Sequence, residues 1–345
     1  MTIYFVNTEV IEEDLFASGL AGHDVRFVRE LNEVEPDAEI VSVFINEKVG
    51  SAFLDTHPRV KLIATRSSAV DHLDLQACAD RDVAVRWVGA YGENTVAEHT
   101  FALILALSRR LREVMTLPRK GRFSYEATRA LELAGKTLGI VGMGRIGQRV
   151  AALARGFEMK VIAHDVHAPP ELALTLGFEF VPFEEILSRS HVLSLHSNLT
   201  ADNYHLLNRD TLARCRPGVL IINTARGALI DTQALREALD SGHVGGAGLD
   251  VLQDERVMRD TPAHIIGAEI VKHLRSDAVA AEARDADRLH ELQELMLGAD
   301  VLSRTNVVFT PHVAFNSVEA IDRLHAGVLE NITSFIAEQT GTAAS

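Results

Sequence analysis

The stretch Lys136-Thr137-Leu138-Gly139-Ile140-Val141-Gly142-Met143-Gly144-Arg145-Ile146-Gly147 leaves this chain few folds to choose from. Thr137 to Val141 is apolar and β-branched, as a short buried strand should be, and it runs straight into a glycine-rich turn. Residues 148–155 follow with good helix formers at amphipathic spacing. Strand, tight turn and helix in that order make a cradle for a pyrophosphate. Gly142 permits the turn, Gly144 lets the backbone approach the phosphates, and Gly147 lets the helix pack on the strand. The helix N-terminus, with Arg145 and Ile146 in its first turn, offers free N–H groups and the positive end of its dipole. A second strand, Met159 to His164, ends at Asp165, roughly 20 residues past the glycines. A carboxylate there accepts hydrogen bonds from both ribose hydroxyls and repels a 2′-phosphate. The expected cofactor is therefore NAD rather than NADP.

With 345 residues the chain has room for two domains, each with its own core. Its 47% hydrophobic and 24% charged residues are those of an ordinary globular protein. A formal net charge of −14 argues against a nucleic-acid partner. Cys78 and Cys215 lie far apart and form no CxxC pair, so nothing suggests a disulfide framework or a metal site, and a reducing compartment suits them. The N-terminus has no basic segment ahead of an apolar core, and the run Phe101 to Leu107 is far too short to span a membrane. The expectation is a soluble cytoplasmic protein with no membrane and no metal.

Residues 2–90 alternate strands with helices but hold no phosphate turn. Strands are expected at 3–6, 24–28, 40–45, 60–65 and 83–88, which together make an α/β domain with a mostly parallel sheet. A long helix is expected over 93–113, its apolar face carrying Val96, Phe101, Ile104, Leu105 and Leu111. Glu98 and His99 on it read as a hydrogen-bonded helix surface or an interdomain contact. The basic cluster Arg119 to Arg122 reads as a solvated loop or subunit contact. From 137 a second α/β unit continues, with strands near 159–164, 178–181, 191–195, 218–223 and 245–249. Helices are expected between them at 145–156, 183–189, 208–214 and 231–241. Residues 256–300 are polar and alanine-rich, with helical spacing in Ala278–Leu297. A last strand at 306–310 precedes a closing helix over about 317–338. This is doubly wound architecture, whose function falls at the carboxyl ends of the strands. Arg226, Glu255 and His312 each follow a strand of one sheet, so the fold can bring them to a single crevice.

Several motifs in order resemble the D-2-hydroxyacid dehydrogenase family, and within it the D-lactate dehydrogenase type. They are Thr65-Arg66-Ser67-Ser68-Ala69-Val70-Asp71-His72-Leu73-Asp74, then Tyr91-Gly92-Glu93-Asn94-Thr95-Val96-Ala97-Glu98-His99, then the glycine turn. Leu195-His196 with Asn203 and His205 comes next, followed by Asn223-Thr224-Ala225-Arg226-Gly227. Gly246 to Val251 with Glu255, and Thr310-Pro311-His312-Val313-Ala314-Phe315, complete the set. Departures are Ala69 where the family has glycine, and Ser197-Asn198 where it has Val-Pro or Cys-Pro. The segment between Glu255 and His312 is longer than usual.

The resemblance implies two Rossmann-like, doubly wound parallel-sheet domains. Residues 1–93 and 314–345 would form a flavodoxin-like substrate domain, and residues 94–313 the NAD-binding domain, with a helical insertion at about 256–300. It implies a catalytic set of Arg226, Glu255 and His312. In the reducing direction hydride reaches the carbonyl carbon of a 2-oxo acid while His312, as imidazolium, protonates the oxygen. Glu255 would accept from the other ring nitrogen and favour the protonated ring. Arg226 would bind the substrate carboxylate and polarise the carbonyl with its planar fork. The substrate carboxylate would sit on the N–H groups of Ser68, Ala69 and Val70, with Tyr91 nearby. The implied cofactor contacts, beyond the glycine turn and Asp165, are His196, Ser197, Asn198, Asn203, Thr224, Ala225, Arg226, Asp250 and His312, with Asp250 on the nicotinamide carboxamide. A homodimer and pyruvate as first substrate complete the expectation. Glyoxylate or hydroxypyruvate reduction, and an NAD(H)-binding corepressor-like protein, are the alternatives.

Overall fold

The computed structural model describes residues 1–118, 121, 123, 128–253, 255 and 296–341. These fall into two compact units, Met1–Gly92 with Asn316–Ser345, and Glu93–Phe315. Both are doubly wound parallel-sheet folds, as the sequence implies.

The first unit has five parallel strands: β1 (Thr2–Val6), β2 (Asp24–Val28), β3 (Ile40–Val43), β4 (Leu62–Thr65) and β5 (Ala84–Trp87), in the order β2-β1-β3-β4-β5. That is the flavodoxin-like order. Every residue of β3 and β4 is buried, which is why they read as continuous apolar runs rather than alternating ones. The helix Val318–Thr340 packs on β4 and β5 although it lies far away in sequence. Arg86 fastens it, donating to the Asn331 carbonyl at 3.0 Å and the Ser334 hydroxyl at 2.6 Å. His325 meets the Glu12 carboxylate at 2.8 Å, its ring edge-on to Phe16.

The second unit has seven strands: β6 (Thr137–Val141), β7 (Lys160–His164), β8 (Glu179–Phe180), β9 (Val192–Leu195), β10 (Val219–Asn223), β11 (Val244–Leu249) and β12 (Val307–Phe309). Their order is β12-β11-β10-β9-β6-β7-β8, all parallel. The winding reverses between β6 and β9, so the crevice at the carboxyl ends of those two strands is where a ligand belongs. The helix Arg145–Gly156 buries Gly147, Val150, Ala151 and Ala154 on one face and packs against the helix Glu93–Ser108. Phe101 stacks on Phe157 beside them, centroids 5.0 Å apart.

Two readings need correction. The single helix over 93–113 is two, Glu93–Ser108 and Leu111–Val114, because Arg110 adopts a left-handed backbone (φ 53°) between them. Leu111, placed on the apolar face in sequence, is consequently exposed. A short helix at Pro170–Leu176 was not anticipated; none of its residues is buried, so it lacks the periodicity that would mark it. The helical excursion at about 256–300 lies outside the described residues as far as 295, and residues 296–303 are helical. Arg119 and Arg122 also lie outside them. Among the described residues no helix is long and apolar enough to cross a membrane.

Candidate active site

The glycine turn follows β6 at the reversal of winding, and two of its three glycines have a steric reason within the protein. Gly142 has φ +96°, and a Cβ on it would lie 2.6 Å from the backbone of His196 and Ser197 after β9. A Cβ on Gly147 would lie 2.1 Å from the Gly142 carbonyl oxygen, so helix and turn meet only if it is absent. At Gly144 a Cβ would meet nothing within 4 Å, leaving the backbone open to a close-lying ligand. Arg145 begins the helix and pairs with Glu93 at 3.2 Å; Ile146 packs into the core beside it. These residues fit a dinucleotide pyrophosphate.

Asp165 follows β7 beside this turn. Its Oδ2 accepts from the Met143 N–H at 2.6 Å and its Oδ1 from the His167 N–H at 2.9 Å. The carboxylate thus braces the glycine turn, and each oxygen keeps a further lone pair for a sugar hydroxyl. Across the crevice His196 follows β9, its Nε2 hydrogen-bonded to the Ser194 hydroxyl at 2.8 Å. Burial pushes the His196 imidazole down to about 3, which makes it a neutral wall rather than an acid. The Ser197 hydroxyl is buried with no hydrogen-bond partner among the described residues, a site where an incoming ligand would relieve a cost. Asn203 donates to the Asn198 carbonyl at 2.7 Å and accepts from the Thr200 N–H at 2.7 Å, closing that loop on itself.

The loops after β10, β11 and β12 bring the next residues together. Asn223 ends β10 and clamps its own loop, donating to the Arg226 carbonyl at 2.8 Å and accepting from the Ala225 N–H at 3.0 Å. Thr224 meets the Thr100 hydroxyl at 3.1 Å, and one guanidinium nitrogen of Arg226 donates to the Ala225 carbonyl at 2.7 Å. A Cβ on Gly227 would sit 2.1 Å from the Leu252 carbonyl carbon, so the Arg226 loop lies directly on the segment after β11. That segment leads to Glu255, whose Oε2 accepts from the Leu252 N–H at 3.2 Å. Glu255 Oε1 lies 2.5 Å from His312 Nδ1, and both side chains are about one-fifth exposed. A carboxylate can only accept, so Nδ1 carries the proton and Nε2 is left to exchange one. His205, the third histidine of this edge, instead bonds Gln253 at 2.7 Å.

Asp250 is almost fully buried, and its carboxylate is already occupied. Oδ1 accepts from the Thr310 hydroxyl at 2.5 Å and the Val313 N–H at 3.0 Å, and Oδ2 from the Ala314 N–H at 2.9 Å. It anchors the turn that carries His312. Sequence reasoning gave Thr310 no role beyond its motif and read His99 as a hydrogen-bonded helix surface or an interdomain contact. His99 Nε2 lies 2.8 Å from the Thr310 hydroxyl, a partner that reading did not name. No local signal could have paired them across 211 positions.

In the first unit, Ser68, Ala69 and Val70 follow β4. The Ser67 hydroxyl donates to the Ala69 carbonyl at 2.5 Å and bends the chain there. Among the described residues nothing accepts from the Ser68, Ala69 and Val70 N–H groups. Tyr91 is buried, and its carbonyl accepts from Arg323 at 2.8 Å. Among the described residues no group of His, Cys, Asp or Glu could hold a metal.

A model of the D-isomer specific 2-hydroxyacid dehydrogenase NAD binding domain matches residues 101–314. A 2-hydroxyacid dehydrogenase homolog of Zymomonas mobilis is 32% identical over 320 residues, spanning 90% of this chain and 89% of that one. The D-lactate dehydrogenase of Escherichia coli is 33% identical over 300 residues, spanning 86% and 83%. Among solved structures, D-lactate dehydrogenase from Aquifex aeolicus complexed with NAD and lactic acid is similar with a TM-score of 0.84 at 30% identity. That likeness covers 99% of this chain and 97% of that one.

Proposed function

The chain belongs to the D-isomer specific 2-hydroxyacid dehydrogenases, and on that premise we propose that it reduces a 2-oxo acid, with pyruvate the first to try, to the D-2-hydroxy acid. NAD is the cofactor; in its reduced form it supplies hydride to the carbonyl carbon. The glycine turn, Asp165, the His196–Ser197 edge and the loop at Thr224 and Ala225 would hold it.

The observation that carries the reading is the Glu255–His312 contact of 2.5 Å in the same unit as the glycine turn. His312 gives a proton from Nε2 to the carbonyl oxygen as negative charge builds there, and takes it back in the reverse direction. Glu255 keeps Nδ1 protonated and the ring oriented. Arg226 would meet the substrate carboxylate and the polarised carbonyl with its planar fork. Ser68, Ala69 and Val70, whose N–H groups face no described acceptor, and Tyr91 stay proposed substrate contacts of the first unit.

The test is a steady-state assay with NADH and a panel including pyruvate, glyoxylate and hydroxypyruvate. Turnover with one of them supports the reading and names the acid. Rates at background with every member would leave a binding protein of the corepressor kind.

Cofactor choice gives a second test. Asp165→Ser should lower the preference for NAD over NADP by about tenfold or more, because a charge that repels the 2′-phosphate is gone. It should weaken NADH binding as well, since the carboxylate also holds the Met143 N–H of the turn. Unchanged selectivity would put the ribose contact on another residue.

A further inference from the structure

We propose that His99 is a positioning residue for this reaction, acting through Thr310 and Asp250 to hold the turn from which His312 works. The proposal rests on the dehydrogenase reading above for its kinetic consequence, but not for its geometry.

His312 has φ +54°, a left-handed conformation that a residue with a side chain adopts at some cost. Something must hold it there, and Asp250 does so from both its backbone and its side chain. The Asp250 carbonyl accepts from the His312 N–H at 2.8 Å. Its two carboxylate oxygens accept from the next two N–H groups, those of Val313 and Ala314. The direction of the acid–base ring therefore depends on where this carboxylate sits.

Asp250 is 1% exposed, so its charge needs donors from the protein. Thr310 gives its hydroxyl proton to Oδ1 at 2.5 Å. A hydroxyl has one proton, so toward His99, 2.8 Å away, the same oxygen can only accept. His99 Nε2 must then carry a hydrogen, and the chain has one direction: His99 Nε2–H to Thr310 O–H to Asp250 Oδ1. Among the described ion pairs, the partner of Asp250 is this same histidine, Nε2 to Oδ1 at 3.6 Å. His99 stands on the helix Glu93–Ser108, whose position the core of the unit fixes. The network thus ties the His312 turn to a rigid element. Without His99 the threonine hydroxyl is free to turn away, the carboxylate loses its backing, and the turn can relax.

Kinetics with the full chain and the best 2-oxo acid test this. His99→Ala should lower kcat about tenfold or more, a displacement of about 1 Å at the reacting groups being enough, with NADH affinity nearly unchanged. His99→Gln, whose amide N–H can still donate to Thr310, should recover most of the loss. Thr310→Val should reproduce the loss and Thr310→Ser relieve it. Because both residues act along one chain, His99→Ala should add little to Thr310→Val. A merely structural helix contact gives the other result: losses that follow melting temperature, multiply in the double variant and are not rescued by glutamine.

A second readout needs no turnover. In the chain labelled with ¹⁵N-histidine, long-range ¹H–¹⁵N spectra should find Nε2 of His99 protonated. The His312 ring signals should shift in His99→Ala and return in His99→Gln. Unmoved His312 signals would overturn the proposal. If none of the 2-oxo acids supports NADH oxidation by the unaltered chain, the dehydrogenase reading fails, and these spectra still decide the network.

Discussion

Replacing His312 by alanine should lower kcat for 2-oxo acid reduction by about 10³- to 10⁴-fold while NADH binds almost as before. In transition-state terms that is about 4–5.5 kcal/mol, within reach of a single well-placed acid. The reason lies in what the other histidines of this edge can do. His196 is held neutral by burial, its pKa near 3, and shares its Nε2 with a serine hydroxyl. His205 bonds a glutamine, and among the described residues its paired carboxylate, Asp231, is 3.9 Å away. His312 alone of the three has a carboxylate in hydrogen-bond contact, which leaves Nε2 for the substrate. Among the described residues no neighbour is arranged to replace it. The check is a fluorescence titration with NADH beside the steady-state rates. A collapse of NADH affinity with a proportionate loss of rate would make His312 a cofactor ligand instead of an acid.

Much of this site was legible in the residues, for reasons that differ from one part to the next. The glycine turn could be read outright, because strand, turn and helix are contiguous and Gly142 and Gly147 answer local steric demands. The helices Arg145–Gly156 and Phe183–Arg189 begin and end where their spacing puts them. The contact between Glu255 and His312 spans 57 positions, and no spacing rule reaches that far. It was expected only because the motifs around both residues resemble a known family. The break at Arg110 hid for the opposite reason: a single left-handed residue ends a helix without disturbing the apolar pattern on either side. The partner of His99 hid because a histidine on an amphipathic helix looks the same in sequence whether it faces water or a half-buried threonine.

Arg226→Lys should cost about 10²-fold in kcat/KM, felt in the KM for the 2-oxo acid as well as in kcat. The geometry of the loop explains why a like charge is no substitute. Arg226 spends one guanidinium nitrogen on the Ala225 carbonyl at 2.7 Å, which fixes the plane of the fork. The backbone beneath it is fixed too: Asn223 holds its carbonyl, and Gly227 lies against Leu252 with no room for a side chain. A guanidinium is a planar fork of N–H donors that can meet a carboxylate and a carbonyl oxygen together. A lysine ammonium is one rotatable point of charge. It can attract the carboxylate, but it cannot also keep the carbonyl oxygen in line with the proton on His312. Binding would therefore survive better than turnover, and adding guanidinium to the Arg226→Ala variant should restore part of the rate. Near-normal KM and kcat in Arg226→Lys would remove Arg226 from the substrate contacts and leave the loop after β10 with a structural task only.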